Sequence, residues 1–173
     1  AMSTEAHREG FHGKPTLDWD TLSKYADGVM CGTACLSGPV AKHLLHERDE
    51  LARHGMARLL SIFGDRLYAE LHTNGLDEQV VVNSRLISLA HDMSVPTIAV
   101  TDSHYLSKDT KTTHQAWVAM TTNSDLQDDA GVFQGDHDYH MMTEQEVRQA
   151  LSYLPASAVD EAISNTVSIA SST

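Results

Sequence analysis

The stretch PTIAVTDSHYLSKDT, residues 96–110, passes from an apolar run into two side chains that can bind metal. The run TIAV after Pro96 is apolar and partly β-branched, which predicts a strand. Asp102 and His104 follow it two residues apart, so both side chains point to one face of the sheet. A carboxylate and an imidazole are common ligands of zinc, manganese or iron. The alternative is that Asp102 caps the loop and His104 bonds to the backbone.

The segments on either side alternate between strand and helix patterns. Residues 28–34 and 66–72 have the short apolar or alternating pattern of strands, whereas residues 40–63 and 77–93 carry apolar side chains at three- and four-residue steps. Strands joined by helical crossovers pair in parallel, so the sequence predicts an α/β fold. Asp18 is predicted to cap a short helix, and Ser107 to cap a helix over about residues 108–121. A polar loop is predicted at 122–135. A further helix should follow the T-x-x-E capping box of Thr143 and Glu146, and a last helix should begin at Pro155.

Composition and charge narrow the class of protein. A chain of 173 residues with 41% hydrophobic and 21% charged residues is expected to fold as a soluble globular segment. It has no run of ~18 apolar residues and no apolar signal-peptide core at its N-terminus, so we expect a cytoplasmic location and no membrane contact. The formal net charge is −12. Because DNA affinity comes mainly from basic side chains, this segment alone is not expected to bind DNA.

The two cysteines, Cys31 and Cys35, lie in and just beyond the predicted strand at 28–34. Without an export signal, a disulfide framework is not expected. Cys35 follows its strand as Asp102 follows the later one, which places both at the same edge of a parallel sheet, and a thiolate is a strong metal ligand. The alternative for Cys35 is a small buried apolar side chain. Cys31 is expected to be buried in the strand.

The remaining candidate ligands are weaker. Glu70 and His72 share one face of the strand at 66–72 and are candidates for lining the same interior. Neither the motif G-x-S-x-G nor a phosphate-binding loop occurs, so nucleophilic hydrolases and nucleotide-loop enzymes are not indicated. Two further pairs are predicted to lie at the surface: His43 with His46, and His137 with His140.

Four stretches support a more specific interpretation. They are, in order, VMCGTACLSGPVAKHLL, SIFGDRLYAELHTNGLDEQVVVN, VPTIAVTDSHYLSKDTKTTHQAWVAMTTNSDLQDD and FQGDHDYHMMTEQEV. In order and spacing they resemble the later part of the polymerase and histidinol phosphatase (PHP) domain, which stands at the start of the alpha subunits of bacterial replicative DNA polymerase III. The resemblance covers nearly the whole chain, from about residue 9 to about residue 170.

This resemblance implies a fold and a metal centre. Residues 1–141 would be the C-terminal part of a distorted (β/α)7 barrel, and residues 142–173 a short helical connector toward the polymerase core. The family's metal cluster sits at the C-terminal ends of the strands, and the matching motifs place ligands on Cys35, Asp102 and His104. The implied ions are divalent Zn, Mn or Fe. The implied reaction is metal-dependent phosphoesterase chemistry, chiefly 3′-to-5′ exonuclease proofreading of DNA.

The chain also departs from the family pattern. It contains no H-x-H motif, Ala34 stands where such sequences commonly have glycine before the cysteine, and Asn74 stands where they often have histidine. Most of the cluster is therefore expected to lie outside this segment, which we expect to be inactive in isolation. The carboxylates of the DNA-directed DNA polymerase, a nucleotidyltransferase, are expected beyond residue 173.

The resemblance further implies partners. They are the remainder of the polymerase chain, other replisome proteins and, through the full enzyme, DNA. An incomplete barrel has exposed strand edges, so self-association through them is also expected. Two alternatives stay open at this stage: a non-catalytic scaffold of the polymerase, and a stand-alone PHP phosphatase.

Overall fold

A three-stranded parallel sheet lies at the centre of the computed structural model, which describes residues 1–124, 137 and 139–172. Its strands are β1 (Cys31–Gly32), β2 (Leu67–His72) and β3 (Thr97–Val100), in the order β1-β2-β3. The predicted α/β class is confirmed. Among the described residues the sheet is open, so closure into a (β/α)7 barrel stays a prediction.

The helices of the described part of the chain surround this sheet. None of them is long and apolar enough to cross a membrane. Single 3₁₀ turns at Gly64–Arg66 and Lys108–Thr110 precede β2 and α6. The helices are α1 (Met2–Arg8), α2 (Trp19–Lys24), α3 (Ala41–Leu45), α4 (Asp49–Phe63), α5 (Asp77–Asp92), α6 (Lys111–Thr122), α7 (Glu144–Ala150) and α8 (Ala156–Ser172).

The central strand β2 separates an apolar face from a polar one. Leu67, Ala69 and Leu71 are fully buried in a core to which α4 and α5 also contribute. Alternation along the strand turns Glu70 and His72 to the opposite face. Burial of every second side chain therefore fixes the register of the strand and aims its polar residues away from the core.

The predicted helix starts are confirmed where a side chain caps the backbone. Asp18 accepts a hydrogen bond from the Thr21 amide at 2.8 Å and begins α2. Thr143 and Glu146 form the predicted capping box of α7. These caps satisfy amide groups that have no partner within the helix, so they define where each helix begins.

Two predicted elements are shorter than expected. The helical region predicted over 40–63 is divided into two helices: α3 ends at Leu45 and α4 begins at Asp49, because Glu47 between them has a left-handed backbone with φ of 56°. The strand predicted over 28–34 contains only the two residues of β1, and Gly28 (φ 68°) turns the chain before it. Most of the predicted loop at 122–135 lies outside the described residues.

The two C-terminal helices pack on the same core as the rest of the chain. Leu151 is fully buried, and Leu154, Val159 and Ala162 join the cluster that contains the β2 side chains. Helix α8 lies along β3, to which it is hydrogen-bonded. The segment predicted to be a connector from residue 142 thus forms part of the packed body, while the domain boundary itself stays a prediction.

Candidate functional site

The candidate ligands lie beyond the C-terminal ends of the three strands. Because the strands are parallel, these ends share one edge of the sheet. Cys35 follows β1, His72 is the last residue of β2, and Asp102 and His104 follow β3. The strands β1 and β3 are separated by β2, so their axes lie about 10 Å apart. His72 therefore lies at the end of the middle strand, between β1, which precedes Cys35, and β3, which precedes Asp102.

Asp102 and His104 form a close pair with defined geometry. Asp102 has a left-handed backbone (φ 49°), a conformation that costs free energy in most residues and occurs often at functional sites. The Nδ1 atom of His104 lies 2.7 Å from the Asp102 carbonyl oxygen and 3.8 Å from Asp102 Oδ1. An Nδ1–H that donates to a carbonyl leaves the lone pair on Nε2, the tautomer of a histidine that binds metal through Nε2. The backbone bond of the alternative interpretation is thus present and is compatible with a ligand role.

A cluster of rings surrounds His104. Its ring packs edge-on against His114 at 5.8 Å and against Tyr139 at 5.6 Å between centroids. His114 in turn lies 5.3 Å from Tyr105 and 6.2 Å from Trp117. The backbone amide of His104 also donates to the Tyr139 carbonyl at 2.7 Å. Contacts on several sides hold the imidazole in one orientation, as a metal ligand requires.

The ring cluster alters the protonation of its members. Burial lowers the pKa of His114, and the neighbouring His104 lowers it further. Burial raises the pKa of Tyr139, with a smaller contribution from the Asp102 carboxylate. Both shifts favour the neutral side chain, so the Asp102 carboxylate has two neutral rings close to it on the His104 side.

Cys35 is an exposed, reduced thiol in a tight turn. The Gly38 amide donates to the Cys35 carbonyl at 2.7 Å, and Ala34 immediately before it has φ of 65°. The buried apolar role considered for Cys35 is therefore wrong. Cys31 is partly buried as expected, and burial, followed by the charge of Glu70, raises the pKa of its thiol.

Glu70 and His72 lie together on the polar face of β2, as the sequence predicts. His72 is only 6% exposed, and neither of its ring nitrogens has a hydrogen-bond partner among the described residues. Its Nε2 is 4.0 Å from Glu70 Oε2. A Cβ added to Gly32 would come within 2.3 Å of the Glu70 Cδ atom, so the carboxylate lies directly over this glycine. The alternating pattern predicted the shared face but not the burial.

The two histidine pairs predicted at the surface behave differently. His46 is exposed and His43 and His137 are half-buried. His140 is 3% exposed, so the surface prediction is wrong for it. It is covered because a parallel bridge joins it to Tyr105, and its Nε2 lies 3.2 Å from Glu146 Oε1 at the start of α7.

The described residues do not make a complete metal centre. Within residues 1–124, 137 and 139–172, no group of three or more His, Cys, Asp or Glu side chains is arranged to hold an ion. The Asp102–His104 pair fits as part of a ligand set, with Cys35 at the same edge of the sheet. A multi-metal centre needs more ligands than this, so we assign no metal-dependent step to this segment.

Comparison with known proteins gives a family match for the first part of the chain. The family model described as PHP domain matches residues 1–74. The match includes β1, Cys35 and β2 and ends before β3. The predicted extension of the domain to residue 141 stays a prediction.

Curated relatives point to one particular subunit. DNA polymerase III subunit alpha of Borreliella burgdorferi is 30% identical over 169 residues, and that of Thermus aquaticus 31%; each alignment covers 98% of this chain and 14% of the relative. The subunit of Aquifex aeolicus is 37% identical over 119 residues, which are 69% of this chain and 10% of the relative. The chain thus carries PHP-domain sequence and is homologous, over most of its length, to a segment of bacterial DNA polymerase III alpha subunits. It spans about one seventh of the length of the first two of these relatives.

Proposed function

We propose that this chain is a section of the PHP domain of a DNA polymerase III alpha subunit and serves DNA replication as part of that larger enzyme. The observation that supports this most directly is the Asp102–His104 pair beyond the end of β3, together with the relatives that align across it. The parent protein would be a DNA-directed DNA polymerase. Its PHP domain would carry the phosphoesterase or 3′-to-5′ exonuclease activity.

In this proposal Cys35, Asp102 and His104 are ligands that the segment contributes to a centre completed by other parts of the domain. Zn, Mn or Fe would be the bound ion, since thiolate, imidazole and carboxylate donors suit these metals. The left-handed backbone of Asp102 and the ring contacts of His104 support a role that needs fixed side chains. The segment alone holds at most one ion weakly and does not hydrolyse phosphodiesters.

The charge of the segment also fits a role inside a larger enzyme. A net charge of −12 repels DNA, so the positive field that meets the DNA would come from the remainder of the polymerase chain. That remainder, together with other replisome proteins, would be the partner of this segment. DNA would be reached only through the full enzyme.

Metal analysis of the purified chain tests the ligand assignment. Zinc or manganese is titrated into the wild type and into Cys35→Ser and His104→Ala, and bound metal is measured after gel filtration. We expect substoichiometric to single-ion binding in the wild type. In each variant the binding should weaken by more than the about 10–100-fold that loss of a group orienting a ligand costs. His46→Ala, at an exposed position after α3, is the matched control and should bind like the wild type. Equal binding by all four proteins would contradict the assignment.

A non-catalytic scaffold is the second candidate function, and one observation favours it. Helix α6 buries only Ala119, whereas Trp117 is 61% and Met120 81% exposed, so an apolar surface is left for another protein segment. A scaffold would bind no metal in the titration above. The names of the relatives give no support to the third alternative, a stand-alone phosphatase.

A further inference from the structure

The outer edge of β3 is hydrogen-bonded by a helix where a sheet would ordinarily have another strand. On its inner side β3 pairs with β2. There the Ala69 amide donates to the Pro96 carbonyl and the Thr73 amide donates to the Val100 carbonyl. In a parallel ladder this pattern turns the backbone groups of Ile98 and Val100 toward β2. The backbone groups of Thr97 and Ala99 therefore face outward.

Side chains of α8 bond these outward groups. The Asn165 Nδ2 group donates to the Thr97 carbonyl at 2.9 Å. The Ala99 amide donates to Thr166 Oγ1 at 3.1 Å. The Thr166 hydroxyl lies 3.2 Å from the Ala99 carbonyl and 2.9 Å from the Ala162 carbonyl, and its single proton serves one of these at a time.

Packing holds α8 in this position. Val159 and Ala162, two turns and one turn before the two polar residues, are buried in the core. The side chains that follow them on the same helix are thereby aligned with the β3 backbone. The Thr97 carbonyl and the Ala99 amide and carbonyl thus lie within hydrogen-bond reach of two side chains, which take the place of a neighbouring strand.

We propose that α8 is an edge cap, and that the β3 edge it covers pairs with β3 of a second copy of this chain when the cap is removed. The groups bonded by Asn165 and Thr166 are those that an added strand would bond, so the two occupants exclude each other. A twofold axis through Ile98 would place Thr97 of each copy opposite Ala99 of the other, as two hydrogen-bonded antiparallel pairs. The apolar run TIAV carries no charged side chain that would oppose this pairing.

The outer edge of β3 differs from the exposed strand edge that an incomplete barrel predicts. The edge of β3 is covered by the chain's own helix, so the intact chain should not self-associate through it. The proposal does not depend on the metal-ligand assignment, because none of the residues of the cap lies at the C-terminal edge of the sheet.

Amide hydrogen exchange measured by NMR tests the cap itself. Thr166→Val keeps the shape of the side chain and removes only the hydroxyl. We expect the Ala99 amide to exchange at least about 10-fold faster, while the Ile98 amide, which faces β2, keeps its rate. Thr166→Ser should restore the slow exchange. Ser168→Ala is the matched control, because that hydroxyl bonds Ser164 within α8. An unchanged rate for Ala99 in Thr166→Val would overturn the cap.

Sedimentation velocity tests the partner. The double variant Asn165→Ala and Thr166→Val should form a dimer as its concentration rises, and the Ala99 amide should regain protection in that dimer. A double variant that stays monomeric, or a dimer in which Ala99 still exchanges fast, would overturn the pairing with a second copy. If the double variant loses its circular dichroism signal, the same two readouts are applied to the double variant Asn165→Ser and Thr166→Val, which also removes both edge contacts, with the same outcomes.

Discussion

At the residue scale, two left-handed backbone positions lie at or next to candidate ligands. Ala34 has φ of 65° immediately before Cys35, and Asp102 itself has φ of 49°. Aspartate tolerates this region because its short polar side chain can bond locally, whereas alanine gains no such bond. The position where the resemblance leads us to expect glycine is therefore the position where this chain carries a strained alanine.

Replacing Ala34 by glycine is expected to raise the free energy of unfolding by about 1 kcal/mol, because glycine adopts positive φ without the Cβ clash. Urea unfolding followed by circular dichroism measures the change. Ala57→Gly is the matched control, since Ala57 is exposed in the interior of α4. There the same chemical change should lower the free energy of unfolding by about 1 kcal/mol. A loss of stability at both positions would contradict the assignment of strain to Ala34.

The sequence predicted the candidate site only in part, for reasons visible at single residues. Asp102 and His104 were found because a two-residue spacing after a strand fixes a shared direction. The burial of His140 was missed because its cover comes from Tyr105, which is 35 positions away in the chain and is joined to it by a bridge. The residues next to His140 in the sequence do not predict its contact with Tyr105.

At the scale of the elements, the capping box of α7 makes the stability of this helix depend on pH in the acid range. The Thr143 backbone amide and hydroxyl, and then His140, lower the pKa of Glu146 from 4.5 to about 2. Both Thr143 groups lie 2.9 Å from Glu146 Oε2. The ionised carboxylate is therefore the form that the start of α7 stabilises.

A lowered pKa in the folded state makes stability depend on pH. The unfolded chain binds a proton at Glu146 near pH 4.5, before the folded chain does, so stability from this group is present above that pH and is lost as the pH falls toward about 2. We expect Glu146→Gln to show a shallower fall of unfolding free energy over this window than the wild type. Urea titrations at several pH values measure it. Glu144→Gln, in the same turn but outside the capping box, is the control, and an equally shallow fall in that variant would contradict the assignment.

The elements were predictable where the pattern is local. The apolar spacing and the caps gave α2, α5, α7 and the strand β2, because neighbouring residues decide these features. The break between α3 and α4 was missed because Leu44 and Leu51 are seven residues apart, two helical turns, although residues 46–50 between them are all polar. The edge contact of α8 was also beyond prediction, since Thr166 and Ala99 are 67 positions apart.

At the scale of the whole molecule, the segment has a well-packed core and an unfinished site. The core draws on β2, α4, α5 and α8, so the chain can fold around it. The site has a ligand pair, a thiol at the same edge and a buried histidine between their strands, but no group of three potential ligands in the part of the chain that the structure describes. Stability is thus local to this segment, while in the proposed function its chemistry would depend on residues supplied from elsewhere.

That separation predicts a folded but inactive isolated chain. Phosphodiester cleavage by paired metals needs two ions about 3.5–4 Å apart, each with its own ligands, and the described residues do not provide them. We therefore expect no release of nucleotides from the 3′ end of a 5′-labelled single-stranded DNA, with manganese or zinc present, on a denaturing gel. His104→Ala, with a chelator as the second control, separates this chain from a contaminating nuclease. Cleavage that persists in His104→Ala comes from the contaminant; cleavage abolished by that substitution would mean that the segment already holds a working centre.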